Sequence, residues 1–189
     1  MQKFNLKKRQ NRKNLYRNKN NLLFHTGSQL INDKLKFIKK DLISCLFLDD
    51  AFNLLSKKVS HVDTCDIKNI KRSKSRYSCI LSNFSTQIEF SSNLDDCLIS
   101  IYNKLDKDGL FCFNVFTPNS MKTLNKIFIE IDESIFQGSY NRFGPFHDVS
   151  LIIEKLNIHN FKDIVVGIDL LELNYQSFTK LRRDLREFG

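Results

Sequence analysis

Three uninterrupted apolar runs, each set between helix-forming stretches, constrain the fold of this chain most. They are Leu42-Ile-Ser-Cys-Leu-Phe-Leu48, Tyr77-Ser-Cys-Ile-Leu-Ser82 and Leu110-Phe-Cys-Phe-Asn-Val-Phe116. Each has the length of a strand and lacks the apolar–polar alternation of a half-exposed one. Such runs suit strands buried on both faces, as in a parallel sheet with helices above and below. Val59–Cys65 reads as a further short strand ending at Asp66. Leu30, Ile31, Leu35 and Ile38 recur at helical spacing, which predicts a helix over about 28–40. Further helices are expected over Ala51–Lys58, Asn93–Leu105 (Leu94, Cys97, Leu98, Ile101 and Leu105 on one face), Ser120–Glu130 with Ser120 as cap, and Val149–Leu156. Asp106-Lys-Asp-Gly109 reads as a turn. Ile164–Ile168 and Leu170–Tyr175 read as two strands meeting at a tight turn, before a basic amphipathic helix over Ser177–Phe188. Alternating strands and helices predict an α/β domain with helices on both sheet faces. Periodicity alone allows several doubly wound folds.

A chain of 189 residues with 41% hydrophobic content is expected to form one globular domain. Its apolar runs are too short to span a bilayer and its start lacks a secretory signal pattern, so a cytoplasmic location is expected. The five cysteines, Cys45, Cys65, Cys79, Cys97 and Cys112, have no C-x-x-C spacing, and no metal is expected. Four of them fall in expected strands, where a thiol acts as a small buried hydrophobe. Nucleophile-elbow and P-loop motifs are absent, and His25, His61, His147 and His159 share no ligand or catalytic spacing. Net charge is +9, and Lys3, Lys7, Lys8, Arg9, Arg12, Lys13, Arg17 and Lys19 precede the first acid, Asp33. Residues 1–24 therefore read as a basic arm and 25–189 as the domain. The arm suits a solvated segment, with nucleic acid, ribosomes or an anionic membrane as partners it would fit.

Several blocks carry a resemblance. They are Phe4-Asn-Leu-Lys-Lys-Arg-Gln-Asn-Arg12, Leu105-Asp-Lys-Asp-Gly-Leu-Phe111, Ser139-Tyr-Asn-Arg-Phe-Gly-Pro-Phe-His-Asp-Val149, Phe161-Lys-Asp-Ile-Val-Val-Gly-Ile-Asp169, Leu173-Asn-Tyr175 and Leu181-Arg-Arg-Asp-Leu-Arg-Glu-Phe-Gly189. Together they resemble the class I S-adenosylmethionine (SAM) methyltransferase-like proteins grouped with the biotin-pathway malonyl-carrier-protein methyltransferase and complex I assembly factor 5. The resemblance implies a Rossmann-like, mostly parallel sheet with an antiparallel last strand. It implies SAM as cofactor, and a carrier-bound acid or a protein as methyl acceptor.

The same comparison shows where this chain departs from the family. There the first strand runs into D-L-G-C-G-x-G. Matching the spacing puts Phe47 at the acid and Asp49, Ala51 and Asn53 at the glycines. Side chains at such positions fill space a cofactor needs, and positive φ disfavours Ala. Asp66, ending the second strand, takes the place of the ribose-binding acid, and Ser82 ends the next strand on the cofactor side. About ten residues separate Asp66 from Tyr77, too few for a helix and a strand, so the family's third strand is expected to be missing. The family's His-Trp pair is replaced within Asn83-Phe-Ser-Thr-Gln-Ile-Glu89, and the chain stops at the L-R-x-x-G block, so a C-terminal truncation is expected. The resemblance thus implies a methyltransferase-family protein with an eroded cofactor loop, weakly active or inactive. Two other readings stay open: a non-catalytic assembly or interaction protein, and a nucleic-acid or ribosome binder acting through the arm.

Overall fold

The computed structural model describes residues 21–48, 59–140, 142–144 and 146–188. Four strands are described: β1 (Leu42–Leu48), β2 (Val59–Cys65), β3 (Tyr77–Asn83) and β4 (Leu105–Asn114). They form one sheet in the order β2-β1-β3-β4, with every pair parallel. The apolar runs thus become neighbouring strands, and β1 lies inside the sheet as its continuous apolar sequence requires.

Alternate residues of β1 feed two cores. Cys45 and Phe47 pack with Ile31, Leu35 and Leu81 on one face, which is covered by α1 (Leu22–Lys36). Leu46 and Leu48 pack with Ile80, Phe90, Leu98 and Ile101 on the other. That second core is covered by α2 (Thr86–Tyr102), by a short 3-10 helix (Ile67–Arg72) that buries Ile67 and Ile70, and by Ile152 and Leu156. The last two belong to the helix Val149–Ile158. Three layers with helices on both faces result, as the apolar runs predict.

Local differences have local causes. Helix α1 starts at Leu22, earlier than expected, because Asn21 caps it: its side chain accepts from the N–H groups of Leu23 and Phe24. The expected start of α2 at Asn93 is a break inside a longer helix. Asn93 there has φ −162° and ψ 82°, and its side chain accepts from Asp96 N–H as a second cap. Helix α2 ends at Tyr102, and Leu105 opens β4 instead of closing the helix. The expected turn at 106–109 is a bulge in β4, since Tyr77 pairs with Leu105 but Cys79 with Leu110. Residues 67–76 hold no strand, so the expected loss of the third strand is seen directly. Helix α3 spans Lys122–Phe136, and Ser120 does not cap it: its hydroxyl accepts from Thr117 N–H, and Met121, at φ 57°, enters the helix. Helix α4 is Val149–Ile158, and α5 is Phe178–Phe188.

One expectation is overturned. Residues 164–175 form no strand, so the described sheet contains no antiparallel last strand. Val165 is 93% and Leu170 98% exposed. An apolar pattern marks the capacity to bury a face, but a strand also needs a neighbour to complete its ladder.

Cys45 and Cys79 face each other across β1 and β3, both fully buried, and Cys112 lies half-buried on the neighbouring β4. Contact with Cys45, then burial, raises the Cys79 thiol. Burial pushes Cys97 up to about 12 and Cys112 up to about 11. Alkylation proceeds through the thiolate, so at pH 8 these three are expected to label about a hundredfold more slowly in the folded chain than in urea. Site-resolved mass spectrometry after timed iodoacetamide exposure measures this. Labelling of Cys79 at the unfolded rate would contradict the sheet order.

Candidate functional site at the carboxyl end of the sheet

In a doubly wound sheet the ligand side lies beyond the carboxyl ends of the strands. Parallel pairing brings those ends level here. Leu48 pairs with Cys65 on one side and Ser82 on the other, and Asn83 pairs with Asn114. Asp66 and Ser82 therefore flank the end of β1, two strand spacings or about 10 Å apart. Of the cofactor positions expected from the sequence, Asp66 and Ser82 are brought to this end, while Asp49, Ala51 and Asn53 lie outside the described residues, as does the helix expected over Ala51–Lys58.

The described positions are engaged in local structure. Phe47 is a core residue packed toward α1 rather than a group at the strand end. One carboxylate oxygen of Asp66 accepts from Lys68 N–H at 3.0 Å and caps the 3-10 helix. Ser82 is fully buried; its hydroxyl accepts from Thr86 N–H at 3.1 Å, satisfying a donor at the start of α2. Ser82 Oγ and one of the two Asp66 carboxylate oxygens are thus committed to local structure.

The tightest point of this end is formed by residues that spacing did not single out. Helix α1 crosses over the ends of β3 and β4 at Gly27. A Cβ there would stand 2.3 Å from Asn83 Oδ1 and 2.4 Å from Phe84 Cε2. Asn83 Nδ2 donates to the Phe24 carbonyl at 2.8 Å and to Ser28 Oγ at 2.9 Å. Asn114 Nδ2 donates to the Gly27 carbonyl at 3.0 Å, and Asn114 Oδ1 accepts from Phe84 N–H at 2.8 Å. Phe84 itself sits at φ 60°, a left-handed conformation rare for a bulky residue. Asn83 Oδ1 is buried with no hydrogen-bond partner among the described residues. Two Asn side chains thus fasten α1 across the strand ends. The sequence signal for this was Asn83-Phe-Ser-Thr directly after an apolar run, a cluster suited to capping and tight turns.

Beside this contact lies an aromatic wall. Phe84 stacks on Phe116 at 4.4 Å between centroids, and Phe146 meets Phe116 edge-on at 6.4 Å. Gln87 Oε1 accepts from Phe116 N–H at 2.7 Å and fixes the chain leaving β4. His147 follows Phe146; its Nε2 is buried without a partner among the described residues, and desolvation lowers its pKa. The Arg142 block is held by α3. Buried Asp132 accepts from the Arg142 guanidinium and from Tyr140 N–H, and the guanidinium lies 5.2 Å over the Phe128 ring. His159 is not a lone surface residue. Its Nε2 lies 2.7 Å from Asp95 Oδ1, while Lys155 holds Asp95 Oδ2 at 2.9 Å, so α4 is tied to α2. Those two contacts, Lys155 first, hold the Asp95 carboxyl below its usual range.

No family model matches the chain. Among curated proteins it is similar to three O-methyltransferases. It is 23% identical over 124 residues to the malonyl-[acyl-carrier protein] O-methyltransferase of Gallionella capsiferriformans, covering 66% of this chain and 40% of that protein. It is 29% identical over 110 residues to malonyl-[acyl-carrier protein] O-methyltransferase 1 of Coxiella burnetii, covering 58% and 36%. The corresponding enzyme of Nitrosospira multiformis is 26% identical over 125 residues, covering 66% and 38%. The matches thus span about two fifths of the length of these curated relatives.

Proposed function

We propose that this chain, similar to malonyl-[acyl-carrier protein] O-methyltransferases, is a class I methyltransferase-like protein whose cofactor site has eroded, with SAM binding weak or absent and methyl transfer weak or lost. The observation that carries this reading is the segment Phe47-Leu-Asp-Asp-Ala-Phe-Asn53, which has no glycine among the residues that directly follow the first strand. A backbone that approaches a ligand closely needs such residues. The packing of Phe47 in the core and the local engagement of Asp66 and Ser82 support it. On this reading the retained parts are the sheet and the aromatic wall around Phe116, which suit contact with a partner, either a carrier-bound acid or a protein.

Removing one positioning hydrogen bond from a buried site costs about 1–3 kcal/mol. Two such removals move a micromolar site toward millimolar, since about 1.4 kcal/mol is tenfold. Titration calorimetry with SAM and its demethylated product tests this, with Asp66→Ala as the control. The expected result is a Kd in the range of roughly a millimolar or no measurable heat. A Kd at or below roughly 10 μM that Asp66→Ala abolishes would overturn the proposal.

A further inference from the structure

One segment has a strand's composition and no strand beside it. Residues 164–175 run without a turn or bend, and their backbone groups make no hydrogen bond to another described residue. Phe161 and Ile164 pack against the core under α2, whereas Asp169 reaches Lys34 of α1 on the opposite face at 3.6 Å. The segment therefore passes from one face of the sheet to the other without joining it. Its apolar side chains stand in solvent: Val165 is 93%, Ile168 78% and Leu170 98% exposed, and Val166 and Leu171 are exposed as well. Ile164-Val-Val-Gly-Ile168 carries no charge and no Pro. Exposed β-prone runs of this kind pair with copies of themselves.

The residue order is self-complementary. Turned about a two-fold axis through Ile168, the segment meets its copy antiparallel, with Val165 opposite Leu171, Val166 opposite Leu170 and Ile168 opposite Ile168. Asp169 falls opposite Gly167, so no like charges stand directly opposite one another. The two Asp169 side chains are diagonal neighbours, each compensated by its own Lys34. Lys162 and Glu172 become diagonal neighbours of opposite sign.

We propose that residues 162–174 are a self-association surface on which a second copy of this chain lays the same segment, forming a two-stranded antiparallel ladder between the subunits about Ile168. The match of apolar with apolar and of Lys162 with Glu172 selects a second copy over an unrelated strand. One strand from each copy is a small interface, so a Kd of roughly 10–100 μM is expected. The surface shares no residue with the strand ends, so it stands or falls independently of the cofactor reading.

The test is sedimentation equilibrium of the full chain over about 1–300 μM, which is expected to show monomer and dimer in exchange. Ile168→Lys puts two ammonium groups opposite one another at the axis and is expected to weaken the dimer at least tenfold. Lys162→Glu is expected to weaken it about fivefold, and Lys162→Glu/Glu172→Lys to return it to within about twofold of the parent. Under oxidised glutathione, Ile168→Cys is expected to give a disulfide-linked dimer, because opposite residues of antiparallel strands lie within disulfide reach. Val165→Cys is expected to give none, since the axis places it about 20 Å from its counterpart. The parent chain, with its own cysteines, is the blank, and circular dichroism checks that each variant is folded. A monomer at every concentration would overturn the proposal. So would a dimer indifferent to Ile168→Lys, or equal cross-linking through Val165→Cys and Ile168→Cys, which would place the contact elsewhere, such as the β4 edge.

Discussion

Replacing Asp132 by alanine is expected to destabilise the chain by about 1–3 kcal/mol, the cost of leaving hydrogen-bond partners of a buried acceptor unsatisfied. Its carboxylate is 1% exposed and accepts from both the Arg142 guanidinium and Tyr140 N–H. Without it the guanidinium keeps its places over Phe128 and Tyr140 but loses its buried acceptor, and so does Tyr140 N–H. Chemical denaturation of the single variant and of Asp132→Ala/Arg142→Met measures the effect. Because the second substitution removes the cation that has lost its acceptor, the double variant is expected to recover part of the loss. A single variant within about 0.5 kcal/mol of the parent, the range of ordinary surface changes, would show that the pair does not fasten this segment to α3.

Gly27→Ala is expected to lower stability by about 2 kcal/mol although the site is helical, where alanine normally gains about 1 kcal/mol over glycine. The added methyl would stand 2.3 Å from Asn83 Oδ1 and 2.4 Å from the Phe84 ring, and neither neighbour is the free end of a flexible chain. Phe84 is stacked on Phe116, and Asn83 is bonded to Phe24 and Ser28. Overpacking of this kind forces α1 away from the strand ends. A fall in Tm of about 4–8 °C is the corresponding thermal signal for a domain of this size. Gly138→Ala is the matched control, because a Cβ at Gly138 meets nothing within 4 Å. A rise in Tm for Gly27→Ala would mean that helix propensity prevails and that α1 is not seated as described.

The parts of the fold that depend on burial alone were legible in the sequence. Leu42–Leu48 and Tyr77–Ser82 are apolar without alternation, and they lie side by side inside a parallel sheet. The short link from Asp66 to Tyr77 could not hold another strand, and it folds as one 3-10 helix. Cysteines in apolar runs were expected to be buried hydrophobes, and Cys45 and Cys79 are fully enclosed. Of the candidate site, the position of Asp66 and Ser82 at strand ends was legible, since both follow the last apolar residue of a run. Their local duties were not legible, because whether a strand-end oxygen faces a ligand or a nearby N–H depends on where the next turn closes.

What the sequence could not supply in each case came from a distant partner. The start of α1 at Leu22 looked like polar arm, yet Asp184, 162 residues further on, accepts its first free N–H. Gly27 read as one more residue in a helix until the side chains of Asn83 and Asn114 closed over it. Ile164–Tyr175 carried a strand's pattern but is paired with no described strand, so most of its residues stay exposed, Val165 and Leu170 almost completely. Apolar period and length are properties of a segment, and they marked the four described strands and the helix layers around them. Caps, close approaches and sheet edges are properties of pairs far apart in the chain, and only the tertiary structure decided them, because their free energy exists only once both members are in place.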